Sequence, residues 1–336
     1  MTTLPILNFP SPSKVNPTDA QAFGRELANA VEGEVRFGLH DRMLYATDAS
    51  LYQVEPVGVF IPASIEDAVR GVRFALQRVV PILPRGGGTS LAGQCTNHAV
   101  VVDFSNRCTR ILEVDAANRT CRVEPGITVD DLSDALAPTG LFFAPDPATA
   151  RHANIGGCIG NNAAGSRSIL YGRTSENVLG VDALLADGFV ARLEKGAASR
   201  HERVGLLTRQ VVDVVRRHER LIRERFPKTV RRNAGYGLDM VLKALDVGNG
   251  DLDAVNLAHL LCGSEGTLAV TLGAHLLLHP RPKFKGLATL GFNTLDAAIE
   301  SVIPILTTKP SAVELLDDTV IDLAKANTEY RRYVDL

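Results

Sequence analysis

The stretch Pro84-Arg85-Gly86-Gly87-Gly88-Thr89-Ser90-Leu91-Ala92-Gly93-Gln94 constrains the fold more than any other part of the chain. It follows a short apolar run (Val79, Val80, Ile82, Leu83) and precedes a strand expected over 99–104. Three consecutive glycines open backbone angles closed to residues with a Cβ and let main-chain amides come close to a ligand. Successive free N–H groups in such a turn form a concave anion site, here edged by Arg85 and two hydroxyls. A phosphate or pyrophosphate is the anion it suits. There is no G-x-x-x-x-G-K-[ST], and Leu91 stands where a dinucleotide fingerprint needs its third glycine, so neither familiar phosphate motif applies. Taken alone, the segment fits a glycine-rich surface turn without a ligand equally well.

With 336 residues, 45% of them hydrophobic, the chain can bury one large core or two. Lys+Arg 36 against Asp+Glu 38 gives a formal net charge of −2, which does not favour nucleic acid or an anionic membrane as a general partner. The five cysteines (Cys95, Cys108, Cys121, Cys158, Cys262) are dispersed and form no C-x-x-C. That pattern fits a reducing compartment better than a disulfide framework or a zinc or iron–sulfur site. The N-terminus shows no basic-then-apolar leader, and no apolar run reaches bilayer length. A cytoplasmic, soluble protein is the expectation.

In chain order, residues 1–15 read as a loose leader, and Asn16-Pro17 opens a helix to about Val31. Val57–Ile61 reads as a strand. Ser64-Ile65-Glu66-Asp67 resembles a capping box with Asp in place of Glu, followed by a helical apolar stripe. Together with Pro81–Leu83 this makes a β-α-β start leading into the glycine loop. Strands are expected over 110–114 and 120–124, and a helix from the Thr128 cap through Leu136. Leu141–Thr149, locked by Pro145 and Pro147, should be rigid and irregular. A second glycine-rich tract, Asn154–Ser166, carries almost no side-chain bulk. It buries too little apolar area to serve as core, and close approach to a flat ligand explains it better than a linker.

A hairpin is expected across Asp187-Gly188, joining 179–186 to 189–193. One long helix is expected over 203–225, its charged face solvated. The turn Lys228–Gly237 sets Arg231 and Arg232 beside Asn233 and Tyr236, which suits a carboxylate; a salt-bridged loop fits as well. Leu257–Leu261 leads into Cys262-Gly263-Ser264-Glu265-Gly266-Thr267 and a strand over 268–278. His275 and His279 would be a metal pair only on a helix; the alternation of Val270, Leu272, Ala274, Leu276 and Leu278 indicates a strand instead. A new unit begins after Pro280-Arg281-Pro282, with strands near 286–292 and 311–316 and helices over 294–305 and 318–328.

Four motifs in order, P-R-G-G-G-T-S-L-A-G-Q, P-D-P-A-T, N-I-G-G-x-I-G-N-N-A-A-G and G-S-E-G-T-L-A-V-T, resemble the flavoprotein fold of para-cresol methylhydroxylase and vanillyl-alcohol oxidase. Within it they are similar to the D-2-hydroxy-acid dehydrogenase branch, which includes D-lactate, glycolate and D-2-hydroxyglutarate enzymes. The resemblance runs from about Asp48 to Asp317. It implies an α+β fold: a leader and helix over 1–47, a PCMH-type FAD-binding domain of two α+β subdomains over 48–280, and the beginning of an α+β cap domain over 281–336.

The resemblance also implies where FAD lies. Arg85, Gly86, Gly87, Gly88, Thr89 and Ser90, with Gly93 and Gln94, would hold the pyrophosphate. Pro145, Asp146 and Thr149 would line the flavin, and Gly156, Gly157, Asn161, Gly165 and Ser166 would let it pass at van der Waals distance. Gly263, Glu265, Gly266, Thr267 and Val270 would close the other side. Arg231, Arg232, Asn233 and Tyr236 would bind the substrate carboxylate. The isoalloxazine would take the hydride from the Cα of a D-2-hydroxy acid.

Two departures from the family pattern matter. Thr89-Ser90 stands where some relatives carry a flavin-linking histidine, so FAD is expected to be non-covalent, with Cys158 the nearby residue able to overturn this. The histidine-rich region that supplies metal ligands and the base does not occur, so the base, a divalent metal and any 4Fe-4S clusters are expected beyond Leu336 in a longer protein. The expected partners are a small 2-hydroxy acid and an electron acceptor (quinone, cytochrome or electron-transfer protein), with room for peripheral association with the inner membrane and no nucleic acid. The alternatives are a same-fold oxidase of an alcohol or sugar and a non-catalytic FAD-binding subunit.

Overall fold

The computed structural model describes residues 17–229 and 231–334. The leader, the Asn16 cap, Val230 and the last two residues lie outside the described residues. Helix α1 (Pro17–Ala30) is followed by β1 (Glu34–Arg36), α2 (Leu39–Leu44), β2 (Gly58–Ile61), α3 (Ile65–Gln77), β3 (Ile82–Arg85) and β4 (Val100–Asp103). The four strands form one sheet in the order β1-β2-β4-β3. β4 runs parallel to both its neighbours, and β1 is antiparallel to β2. A parallel strand covered on both faces should be apolar throughout, and Val100, Val101 and Val102 are all buried. α1 and α3 close one face through Phe23, Leu27, Phe37, Phe60 and Val72.

Only half of the capping box at α3 forms. Ser64 Oγ accepts the Asp67 N–H at 3.2 Å. The Asp67 carboxylate, fully buried, instead accepts from the N–H groups of Glu32 (2.9 Å), Gly33 (2.8 Å) and Ala63 (3.0 Å) and from Arg70 Nη2 (2.9 Å). It therefore ties the turn between α1 and β1 to the start of α3.

The second unit contains β5 (Ile111–Asp115), β6 (Thr120–Val123), α4 (Val129–Leu136), β7 (Leu141–Phe142), α5 (Ile155–Asn161), β8 (Val178–Leu185), β9 (Val190–Glu194), β10 (Ala269–Leu277) and β11 (His279–Pro280). Five of these strands form an antiparallel sheet ordered β5-β6-β10-β8-β9, while β7 pairs with β11 alone. Helices Glu202–Arg217 and Leu238–Val247 bring Val204, Val212, Val215, Val241 and Leu245 onto the sheet residues Val181, Ala183, Leu193, Ala274 and Leu276. The single long helix expected over 203–225 is interrupted at His218, and a second helix runs Glu219–Arg225. The glycine tract also departs from expectation, because it contains α5. Glycine disfavours helix by about 1 kcal/mol per residue, but Ile155 and Ile159 stack one turn apart and are both fully buried, which holds the turn in place.

β10 serves two cores. Val270 lies opposite Leu184, and both pack with Leu272 into the core of the first unit. The register then shifts between Thr271 and Gly273, so that Ala274 lies opposite Val181 and faces the helices of the second unit. A β-bulge inserts one residue and turns the following side chains to the other face. The even-numbered residues expected on a single face are therefore divided between two.

From 281 to 334 no residue is buried. Helices Leu295–Leu306 and Asp318–Ala326 form close to their expected places, with side-chain caps from Thr294 and Asp317. The strands expected near 286–292 and 311–316 do not form. A helix satisfies its own backbone, whereas a strand needs a neighbouring edge, and no residue of either segment is paired in a ladder among the described residues.

Burial alone would push the Asp67 carboxyl up; the three main-chain donors and Arg70 outweigh it and hold the group below its ordinary value. A depressed carboxylate stabilises the fold above its unfolded pKa, and that contribution is lost as pH falls through the folded value. Asp67→Ala should cost about 3 kcal/mol at pH 7 by stranding buried donors. The difference between variant and wild type in denaturant unfolding should shrink below about pH 4. A pH-independent difference would contradict this assignment.

Candidate cofactor cleft

A cleft enclosing about 700 Å³ out to its open mouth lies between the two units. One wall is Pro84, Arg85, Gly86, Ser90, Gln94, Cys95 and Phe104; the other is Pro125, Gly156, Gly157, Gly160, Asn161, Leu261, Ser264, Glu265, Gly266, Ala269 and Thr271. Three of the four sequence motifs thus meet at one place from three separate parts of the chain. Arg85, Gly86, Ser90, Gln94, Gly156, Gly157, Asn161, Glu265 and Gly266 line the cleft as expected.

Arg85 does not present its charge to the cleft. Its Nη1 donates to the carbonyls of Tyr45 (3.1 Å) and Cys95 (2.8 Å), its Nη2 donates to that of Thr47 (2.8 Å), and the guanidinium lies over the Tyr45 ring. With three of its five N–H donors on main-chain oxygens, it fastens the glycine loop to the segment after α2. The Ala49 N–H, donating to Gly88 O at 3.0 Å, completes that attachment. Anion binding then falls to the loop's backbone. The N–H groups of Gly88, Thr89 and Ser90 have no acceptor among the described residues.

Adjacent glycines of α5 serve different ends. A Cβ on Gly156 would sit 2.8 Å from Pro125 Cβ, so this glycine lets the helix pack. A Cβ on Gly157 would meet nothing within 4 Å and would project into open space. The missing side chain there keeps the cleft wide. Glu265 adopts a left-handed backbone (φ 53°) between two glycines that do the same, and its N–H donates to Gly160 O at 2.9 Å. Across the mouth, Gln94 Nε2 donates to Glu265 Oε1 (3.1 Å) and to Asn161 Oδ1 (3.3 Å), while Asn161 Nδ2 donates to Ser90 Oγ (3.1 Å).

The other expected residues lie elsewhere. Val270 points away from the cleft into the core of the first unit, because the strand's alternation gives the cleft Ala269 and Thr271. Gly87, Gly88, Thr89 and Gly93 belong to the loop but not to the wall. Pro145 is buried, and the Asp146 carboxylate is held by Arg167 Nε at 2.5 Å. Gly165 packs directly on the Asp146 carbonyl, leaving no room for a Cβ. Ser166 meets the basic turn, since Arg231 Nη2 lies 3.5 Å from its carbonyl. Thr149 is exposed. Gly263 packs under the carbonyls of Asn233 and Gly235, and Thr267 Oγ1 is 3.0 Å from Tyr236 Oη. The residues missed by sequence, Pro84, Phe104, Pro125, Leu261, Ser264, Ala269 and Thr271 among them, carry no chemical signature. Pro84, Ser264, Ala269 and Thr271 stand inside the glycine motifs, and only position near a motif or strand hinted at the others.

Residues 56–194 match the family described as "FAD binding domain". That stretch, from just before β2 to the end of β9, is similar to FAD-binding domains. Over 308 residues it is 34% identical to a D-2-hydroxyglutarate dehydrogenase of Pantoea ananatis, covering 89% of this chain and 30% of that protein. It is 30% identical to the glycolate oxidase subunit GlcD of Bacillus subtilis, covering 83% of this chain and 50% of that one. The chain therefore spans between about a third and a half of these relatives. Among solved structures, an alkyldihydroxyacetonephosphate synthase superposes with a TM-score of 0.60 at 20% identity, over 87% of this chain and 47% of its own, which establishes the two-unit α+β fold.

FAD fits this site on two observations: donors without acceptors in the glycine loop and an open wall at Gly157. Among the described residues no group of three or more His, Cys, Asp or Glu could hold a metal ion. His275 and His279 sit in β10 and β11 and do not converge; His279 Nε2 bonds Asn177 Oδ1 at 2.7 Å. Cys158 faces the core, and burial pushes its thiol up to about 12, as it does for Cys262. Cys95 is the thiol on the cleft wall.

Gly157→Leu should abolish FAD binding while changing the melting temperature little, whereas Gly156→Leu should destabilise the fold; equal effects of the two would refute their different roles. In the native protein a thiol reagent should modify Cys95 first, added FAD should slow that reaction, and Cys108, Cys121, Cys158 and Cys262 should react only after unfolding. Peptide mapping of the labelled cysteine checks this.

Proposed function

We propose that this chain holds FAD for the oxidation of a D-2-hydroxy acid, D-2-hydroxyglutarate or D-lactate, to the 2-oxo acid. The observation that carries the reading is the FAD cleft with a basic turn at its edge, in a chain similar over most of its length to a protein named D-2-hydroxyglutarate dehydrogenase. Bound FAD supplies the ring that accepts the hydride. The amides of Gly88, Thr89 and Ser90 hold the pyrophosphate, and Gly157 and Gly160 allow the cofactor to lie against α5. Binding is non-covalent in this reading, and electrons leave to a quinone, a cytochrome or an electron-transfer protein.

The two arginines of the basic turn have separate tasks. Arg232 Nη2 pairs with Asp239 at 2.5 Å, and its guanidinium lies 4.9 Å from the Phe226 ring centre, so it braces the turn. Arg231 is exposed and has no carboxylate partner among the described residues. A bidentate guanidinium–carboxylate pair is the strong form of such recognition, and Arg231 is the residue free to make it. Tyr236, 43% exposed and anchored to Thr267, adds a hydroxyl on the same turn. Asn233 packs its main chain on Gly263 and links the turn to the cleft wall.

Visible absorption decides the main claim. This chain should show a flavin band, and in the protein extended to the length of its relatives that band should bleach anaerobically with D-2-hydroxyglutarate or D-lactate and not with the L-acids. A band that persists with every 2-hydroxy acid would leave an FAD-holding subunit, and no band would remove the reading. Arg231→Ala should raise KM for the acid at least tenfold with an unchanged flavin spectrum, while Arg232→Ala should also lower thermal stability. An unchanged KM for Arg231→Ala would exclude it as the carboxylate ligand.

A further inference from the structure

Asn154, just before α5, lies outside the cleft lining and is 3% exposed, yet it joins three segments that build the site. Its Oδ1 accepts the Gly87 N–H at 2.5 Å, and its Nδ2 donates to the Gly126 carbonyl. The residue precedes a helix without capping it, since its side chain makes no bond to the first turn. Its polar atoms are directed at the glycine loop and at the turn after β6. The fit is tight: a Cβ on Gly86 would fall 2.6 Å from Asn154 Oδ1, and one on Gly87 would fall 2.1 Å from the His152 carbonyl oxygen. The first two glycines of the loop are therefore there to seat it on Asn154 and His152. Beyond them, the amides of Gly88, Thr89 and Ser90 have no acceptor among the described residues.

We propose that Asn154 is a positioning residue that sets the angle of the glycine loop, and through it the affinity for the cofactor's pyrophosphate. The inference rests on the FAD reading of the cleft. The chemistry requires one acceptor and one donor a short side chain apart, which an amide supplies. Aspartate would still accept from Gly87 but would face the Gly126 carbonyl with a second oxygen and no proton. Leucine would satisfy neither group. Serine keeps one hydroxyl in a smaller volume. Asn154 makes two side-chain bonds, one to the glycine loop and one to the turn at Gly126, and none to the first turn of α5, so its loss should act chiefly on the part of the ligand that the loop touches. Contacts to the flavin ring, made by α5 and the 263–267 segment, should persist.

The test compares the affinities for FAD and for riboflavin, which shares the ring and lacks the pyrophosphate, by quenching of flavin fluorescence on the apoprotein. Asn154→Leu and Asn154→Asp should weaken FAD at least tenfold and riboflavin less than twofold. Asn154→Ser, the milder change, should move in the same direction and decides the matter if the first two do not fold. Hydrogen exchange at the Gly87 amide should be slow in wild type and fast in Asn154→Leu, while Asn154→Asp, which keeps the acceptor, should retain protection. Equal losses for FAD and riboflavin, or no change in FAD, would overturn the positioning role while leaving FAD binding intact. A wild-type protein that binds neither flavin would overturn the cofactor reading and this inference with it.

Discussion

The cleft exists because one strand is shared between two hydrophobic cores. Val270 and Leu272 of β10, with Leu184 of β8, are buried in the core made by α1, α3 and the four-stranded sheet. Beyond the bulge, Ala274 and Leu276 of the same strand are buried under the helices of the second unit. Burying three large aliphatic side chains contributes several kcal/mol, enough to hold the units in register. Each unit alone would present only a glycine loop or a short helix to water. Held together by β10, they face one another across a gap of cofactor size.

Within that frame, polar side chains hold the glycine loop from behind. Arg85 looks from its motif like an anion ligand, but three of its five N–H donors go to main-chain carbonyls. Asn154 takes up Gly87 from the other side. Folding thus uses most of a guanidinium and the Gly87 amide on the shape of the turn, while the amides of Gly88, Thr89 and Ser90 have no acceptor among the described residues. A preorganised set of backbone donors needs little rearrangement when the anion arrives, which is a general advantage of such sites. The basic turn shows the same economy, with Arg232 held by Asp239 and Arg231 left exposed.

Much of the architecture was legible in the chain. Period-two and period-3.6 patterns, caps at Ser64 and Thr128, and the Asp187-Gly188 turn located β2 to β6, α3, α4, the β8–β9 hairpin and β10 to within a few residues, whereas β1, α2 and the helix Leu238–Val247 were not anticipated. The order of four motifs, three of them glycine-bearing, indicated the α+β flavoprotein fold. Helix α5 was missed because local propensity argues against it, and the burial of Ile155 and Ile159 overrides that propensity. The strands near 286–292 and 311–316 were over-read because their alternation is real, whereas pairing depends on a neighbour that alternation cannot supply.

The sequence by itself determined which short segments could approach an anion and a flat ring. That property belongs to glycine runs and is written residue by residue. Tertiary structure alone decided which atoms face the cleft. The bulge in β10 sends Val270 and Leu272 to one core and Ala274 to the other, leaving Ala269 and Thr271 on the cleft; Arg85 turns to the carbonyl of Tyr45, forty residues away, and the thiol on the wall is Cys95 and not Cys158. Side-chain direction depends on register and on partners distant in the chain, and one inserted residue is enough to reverse it.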